Sequence, residues 1–450
     1  MYIIFTLIIV FAGIPFGANR PWAWDLYGLL IGLWGLFLVI QNIMNPKAAP
    51  FRVKPLRYLI ILMLFPVLWS LLQISSLTPS AWHHPFWALS NKALGAENST
   101  YISLLPHDTG TALMRLMSYS LVFFISYHYN RDSDRVETTF KSIAYASVAY
   151  ALYGLLIEWG HFNTVLWFEK GSYRDLVTST FINRNSYATY AGLGLLSIFP
   201  VLFAELQTGF KFGFITGYGR QYFIENLLKQ GWRPLFGMMI IATALLLTES
   251  RGGFISTLLA IVVFFLLLQI SHKMRSNKIF ITLLFIIGIA ASWVFNTSSD
   301  ALIERLDSIS LENNDRLIVY QLLNRANHEN PWLGNGYGSF AKTFSLYRNE
   351  AIGAYYDKAH NTYLENIFEL GYIPAIALYL VIVGMACICL SGLWVRRRNW
   401  IYPALGVAAT VLVGIHSLVD FSLQIPAVAY LYALIMGGAV AQSRSSVEAT

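Results

Sequence analysis

Residues 253–271 read GFISTLLAIVVFFLLLQIS, an apolar run without an ionisable side chain. A hydrocarbon layer of roughly 30 Å is crossed by about 20 such residues in a helix rising roughly 1.5 Å per residue. An amphipathic surface helix would show a polar stripe at helical spacing, and this run shows none. Working outward, comparable runs occupy 1–19, 24–45, 58–75, 111–129, 142–159, 186–204, 234–249, 279–296, 373–393, 401–416 and 421–441. The expectation is an all-α polytopic membrane protein with about twelve transmembrane helices.

Composition agrees. The 450 residues are 56% hydrophobic and 12% charged, too few charges to coat a soluble globule of this size. The net charge of +7 does not argue for nucleic acid, because the cations sit in short connections between apolar runs. Segments 46–57, 130–141, 205–233, 272–278, 394–400 and 442–450 hold more than half of the 31 Lys and Arg. The positive-inside rule makes these cytoplasmic and puts both termini inside, with 76–110, 160–185 and 297–372 on the outer face. Residues 1–450 read as a single membrane domain, and 297–372 as a cap loop within it containing short helices. The first run has no basic residue before Arg20 and no small-residue cleavage site, so it is expected to stay as a span. Cys387 and Cys389 lie inside a span on different faces of a helix and read as packing residues.

Long loops carry function more often than short ones. In the cap, Asn314 or Asp315 is placed to start a helix whose apolar stripe is Ile318, Leu322 and Ala326, with Pro331 marking its end and Arg316 in its first turn. Gly334, Gly336 and Gly338 follow, reading more readily as a turn than as a phosphate cradle. The cap closes with AHNTYLENIFELG (359–371), where Thr362 and Glu365 fit a capping box. His360 then stands just ahead of a helix N-terminus, whose partial positive charge favours a nearby anion and a neutral imidazole. A catalytic base and a structural histidine are both open at this point.

Ionisable residues at membrane depth are functional candidates. Arg115 stands about one turn inside its run, Arg184 at the start of another between Asn183 and Asn185, and Arg251 between two runs beside Glu249. With Arg316, all four are expected on or near the outer face. Guanidinium groups converging there suit a diphosphate, because the planar fork stays ionised and binds its oxygens bidentately. Metal chemistry has little support. Asp132 and Asp134 read as a solvated cytoplasmic helix start, and the adjacent His83 and His84 lie in an aromatic interfacial stretch.

TESRGGF (248–254), NDR with NPWLGNGYGSF (314–316 and 330–340), AHNTYLENIFELG and HSLVDFSLQIPAVAY (416–430) come in an order that resembles the bacterial O-antigen ligase and polymerase superfamily. The resemblance covers roughly residues 180–435. It implies a GT-C-like, metal-independent, inverting glycosyltransferase of the inner membrane, without a cofactor and with its active site facing the periplasm. The donor it implies is an undecaprenyl-diphosphate-linked glycan, and the acceptor is lipid A-core or a second lipid-linked glycan. Carried over by position, His360 is the base, and Arg251 and Arg316 hold the diphosphate. Arg184 departs from the residue often found before that Asn and matches less well. Asn361 is expected to orient His360 and Glu365 to cap. His416 and Asp420 are expected to make a structural pair. Two other readings differ in chemistry: a lipid-linked glycan flippase, which binds the diphosphate and transfers nothing, and a peptidoglycan-type polymerase, for which Asp357 is the nearest acidic candidate.

Overall fold

The computed structural model describes residues 1–45, 51, 53–95, 97–216, 229, 231–271, 315–349, 352 and 355–444, and for 206–216 the backbone alone. Helices α1 (Tyr2–Phe11), α2 (Pro21–Met44), α3 (Arg57–Gln73), α4 (Phe86–Leu94), α5 (Pro106–Tyr129) and α6 (Ser133–Trp159) form the first part of the chain. They are followed by α7 (Arg184–Thr216), α8 (Trp232–Leu246), α9 (Arg251–Ile270) and α10, the helical residues 315–329. The last are α11 (Phe340–Thr343), α12 (Thr362–Leu370), α13 (Tyr372–Val395), α14 (Ile401–His416) and α15 (Pro426–Gln442). The expected all-α class is interrupted by one short antiparallel ribbon, Thr164–Val165 with Phe168–Glu169.

Among the described residues, six helices are long and apolar enough to cross a membrane: 21–44, 54–73, 133–159, 184–205, 251–270 and 372–395. Four further apolar helices, α1, α8, α14 and α15, are shorter. The expected first run of 1–19 departs most. Its helix ends at Phe11, and the chain then turns through Gly17 at φ 67°. The run 279–296 lies outside the described residues.

The helix ends follow local chemistry. Asp132 caps α6 by accepting from the backbone N–H of Asp134 and Arg135, as expected of a helix start. Ser250 caps α9 through the N–H of Gly253. Pro106 opens α5 earlier than the apolar run begins, because proline at the first helical position loses no hydrogen bond. The centre of the bundle is α15, buried along its whole length. It lies close against α5, where Gly437 allows contact: a Cβ there would come within 2.6 Å of the Phe123 carbonyl oxygen.

The cap has its own small core. Val319, Leu323 and Ala326 of α10 pack on Phe340, Phe344, Ala359 and Phe368. The buried stripe is therefore one residue on from the expected Ile318 and Leu322, which sit partly buried on its rim. The glycines after Pro331 serve packing: Gly334 at φ 67° brings the turn so near α12 that a Cβ would meet the Glu369 carbonyl oxygen at 2.3 Å. That supports the structural reading of this turn.

Candidate functional site

Asn361 is the N-cap of α12, its side-chain oxygen accepting from the N–H groups of Tyr363 and Leu364. This corrects the capping box: Thr362 is the first helical residue, and its hydroxyl donates instead to the Asp420 carbonyl. The backbone N–H of Thr362 donates to the Ser417 carbonyl at 3.0 Å, and Asn361 Nδ2 to Leu418 at 3.0 Å. Three hydrogen bonds thus clamp the start of α12 onto the turn after α14. Asn361 acts on helix and turn rather than on the imidazole.

The clamp brings together two side chains sixty residues apart in sequence. His360 Nδ1 lies 3.3 Å from Asp420 Oδ1. Neither atom has another hydrogen-bond partner, and their alignment is looser than that of a full hydrogen bond. Asp420 is 1% exposed and His360 17% by side chain, so the carboxylate backs the ring and the ring keeps an open edge. Burial alone would raise the Asp420 carboxyl. The imidazoles of His360 and His416 and the Ser422 hydroxyl outweigh it and hold the group below the ordinary aspartate value. His416 reaches Asp420 through the Ser422 hydroxyl rather than by a direct hydrogen bond. Its Nδ1 meets the Thr189 hydroxyl, so the expected His416–Asp420 pair is replaced by His360–Asp420.

Other groups hold the ring in place. His360 has φ 52°, a conformation that costs a residue with a side chain about 1 kcal/mol or more. Tyr320 of α10 donates to its carbonyl at 2.8 Å, and Phe421 packs its ring edge-on at 5.0 Å. Ahead of it, Glu365 accepts from the Ala359 N–H at 2.8 Å and from Lys358 Nζ at 3.1 Å. A fully buried carboxylate therefore ties down the segment that carries His360. Glu369, one turn on, accepts from the Phe340 N–H at 2.9 Å. Burial first, and then the charge of Glu365, push its carboxyl up to about 7 against the opposing pull of Lys358 and two backbone N–H groups.

The four arginines divide. Arg184 pairs with Glu249 at 3.8 Å and lies over the Tyr173 ring, and Asn185 beside it accepts from Ser422. Arg251 is exposed at the start of α9, where Gly252 next to it packs on His416 and Val419. Arg316 is in the first helical turn described for α10, one turn before Tyr320. Each of these three thus stands on a segment that touches the 416–422 turn or His360 through a neighbouring residue: Asn185, Gly252 or Tyr320. Arg115 stands apart: α5 begins at Pro106, so this guanidinium is more than two turns inside its helix, over the Trp24 ring at 4.9 Å. His83, in the aromatic stretch, is held between Thr78 and Thr100.

Residues 236–380 match the family model described as O-antigen ligase. The resemblance read from the motifs is therefore supported. The O-antigen ligase match includes Arg251, Arg316, His360 and Asn361, and ends before Asp420. No curated protein matches the chain. Sequence reading missed Asp420 as the partner of His360, and with it Tyr320 and Glu365. The signal present was a carboxylate in a short outer turn, but nothing in sequence says which of two histidines it faces.

Proposed function

We propose that this chain is an inverting, metal-independent glycosyltransferase of the bacterial inner membrane. It moves a glycan from undecaprenyl diphosphate to an acceptor hydroxyl at the periplasmic face. The observation that carries this reading is the His360–Asp420 pair at 3.3 Å, an imidazole backed by a buried carboxylate.

With Nδ1–H directed at Asp420, the other ring nitrogen is left as a base. The acceptor oxygen attacks the anomeric carbon and its proton passes to His360 Nε2. The bond from that carbon to the diphosphate oxygen breaks with inversion. Asp420 stabilises the imidazolium that forms, as a buried carboxylate does behind a catalytic histidine. Arg184, Arg251 and Arg316 meet the charge growing on the departing diphosphate, a role for fixed guanidinium groups that costs no reorganisation during the reaction.

The test is purified protein in detergent with lipid-diphosphate-linked repeat units, products being resolved by size. A ladder identifies a polymerase; product only when lipid A-core is added identifies a ligase. His360→Ala should lower transfer on the order of 10²–10⁴-fold without changing the melting temperature by more than a few degrees. Transfer surviving in that variant rules out His360 as the base, and lipid translocation without any transfer points to a flippase.

A further inference from the structure

α14 has two sides at its C-terminal end. His416 faces Thr189 of α7 and Gly252 of α9, whereas Gly414 and Ser417 line a separate cleft bounded by α2, α3, α5, α12 and α13. This cleft has a volume of about 770 Å³, within the range of lipid and cofactor sites. Its wall is apolar, with Met63, Val67, Met114, Leu378 and Ile382 along it. Gly32 leaves it open on the α2 side, since a Cβ there would meet nothing within 4 Å.

Polar groups occur where the cleft reaches α12. Arg115, Tyr119 and Lys358 line it. Arg115 Nε and the Tyr119 hydroxyl are buried with no hydrogen-bond partner. Among the described residues no carboxylate lies within ion-pair distance of Arg115. Leaving such donors unmet costs stability, more so for a charged group, and an anion entering the cleft removes that cost. Lys358, two residues before His360, also lines the cleft, but its charge is already met by Glu365, which leaves Arg115 as the cation to be satisfied.

Accepting the transfer reaction above, we propose that this cleft seats the acceptor as a lipid-linked glycan. Its polyprenyl chain lies along α3, α5 and α13, and its phosphate lies against Arg115. The donor occupies the opposite side of α14, among Arg184, Arg251 and Arg316. Charge complementarity selects a phosphate head, and one apolar cleft accepts a single isoprenoid chain better than the several acyl chains of lipid A. The two glycans then meet at His360 from opposite sides.

The experiment uses the full chain carrying His360→Ala in nanodiscs, so no turnover occurs, with diazirine-bearing undecaprenyl phosphate as the probe. Crosslinks are expected on α3, α5 and α13, reduced tenfold or more by Gly32→Trp and by Arg115→Ala, with partial recovery in Arg115→Lys. In the otherwise unmutated protein, with a preformed long-chain donor and a single-repeat acceptor, Arg115→Ala should raise the acceptor KM at unchanged kcat. Crosslinks confined to α7 and α9 overturn the proposal. So does equal competition by phosphatidylglycerol, which would make the cleft a seat for bulk lipid. Crosslinking of the cleft with no transfer by the unmutated protein would keep the lipid site and overturn its assignment to an acceptor.

Discussion

The two sides of the α14 end hold arginines in opposite circumstances. Both are half-buried, but Arg184 is paired with Glu249 and stacked on Tyr173, while Arg115 lies over Trp24 in an apolar wall with its Nε unmet. A surface ion pair contributes little to stability, so Arg184 can exchange Glu249 for a ligand at small cost. An orphaned guanidinium lowers stability until an anion arrives. One side is therefore arranged to bind and release charge, and the other to gain by holding it.

Asp420→Asn tests the first side most severely. An amide cannot stabilise the imidazolium and can hold the wrong tautomer, so kcat should fall by about 10²–10⁴-fold, measured as initial transfer rate, with donor KM little changed. An effect on KM alone would reduce Asp420 to a structural residue and remove the contrast. Arg251→Ala should raise donor KM by roughly tenfold or more, a charged hydrogen bond being worth about 1.5–3 kcal/mol, and Arg251→Lys should recover only part of it. If Arg251→Ala and Arg115→Ala raised the same KM, the two sides would be one site.

A smaller effect comes from the buried acids beneath His360. The Glu369 carboxyl is raised to about 7, so the stability from its protonated form is full below the ordinary glutamate value and is lost as pH rises through about 7. The melting temperature in detergent should fall from the ordinary glutamate value up to about pH 7 and level off above it, and Glu369→Gln should flatten that fall. The smallest effect is expected from Asn361→Ala, which removes a helix cap worth about 1 kcal/mol and loosens α12 from the 416–420 turn. A few degrees lost in melting with His360 still active would separate anchoring from catalysis.

The parts of the site legible beforehand were those carried by local pattern. His360 ahead of a helix, Arg251 between two helices and Arg316 in a first turn are all statements about near neighbours. The cap start was displaced by one residue because Asn361 and Thr362 are both competent N-caps, and only docking on the Ser417 and Leu418 carbonyls distinguishes them. The start of α5 was misplaced for a related reason: hydropathy marks where a helix becomes apolar, and Pro106 starts the helix earlier.

Sequence by itself determined the apolar helical character of the chain and the residues worth suspecting. Those follow from the cost of exposing peptide groups and charges to hydrocarbon, which each segment meets on its own. Tertiary structure alone decided that Asp420 lies directly against His360 while His416 reaches it through Ser422, and that Arg115, unlike the other three, lines the apolar cleft. Such pairings join segments tens to hundreds of residues apart. They are set by how α5, α12, α14 and α15 pack, which no local period encodes.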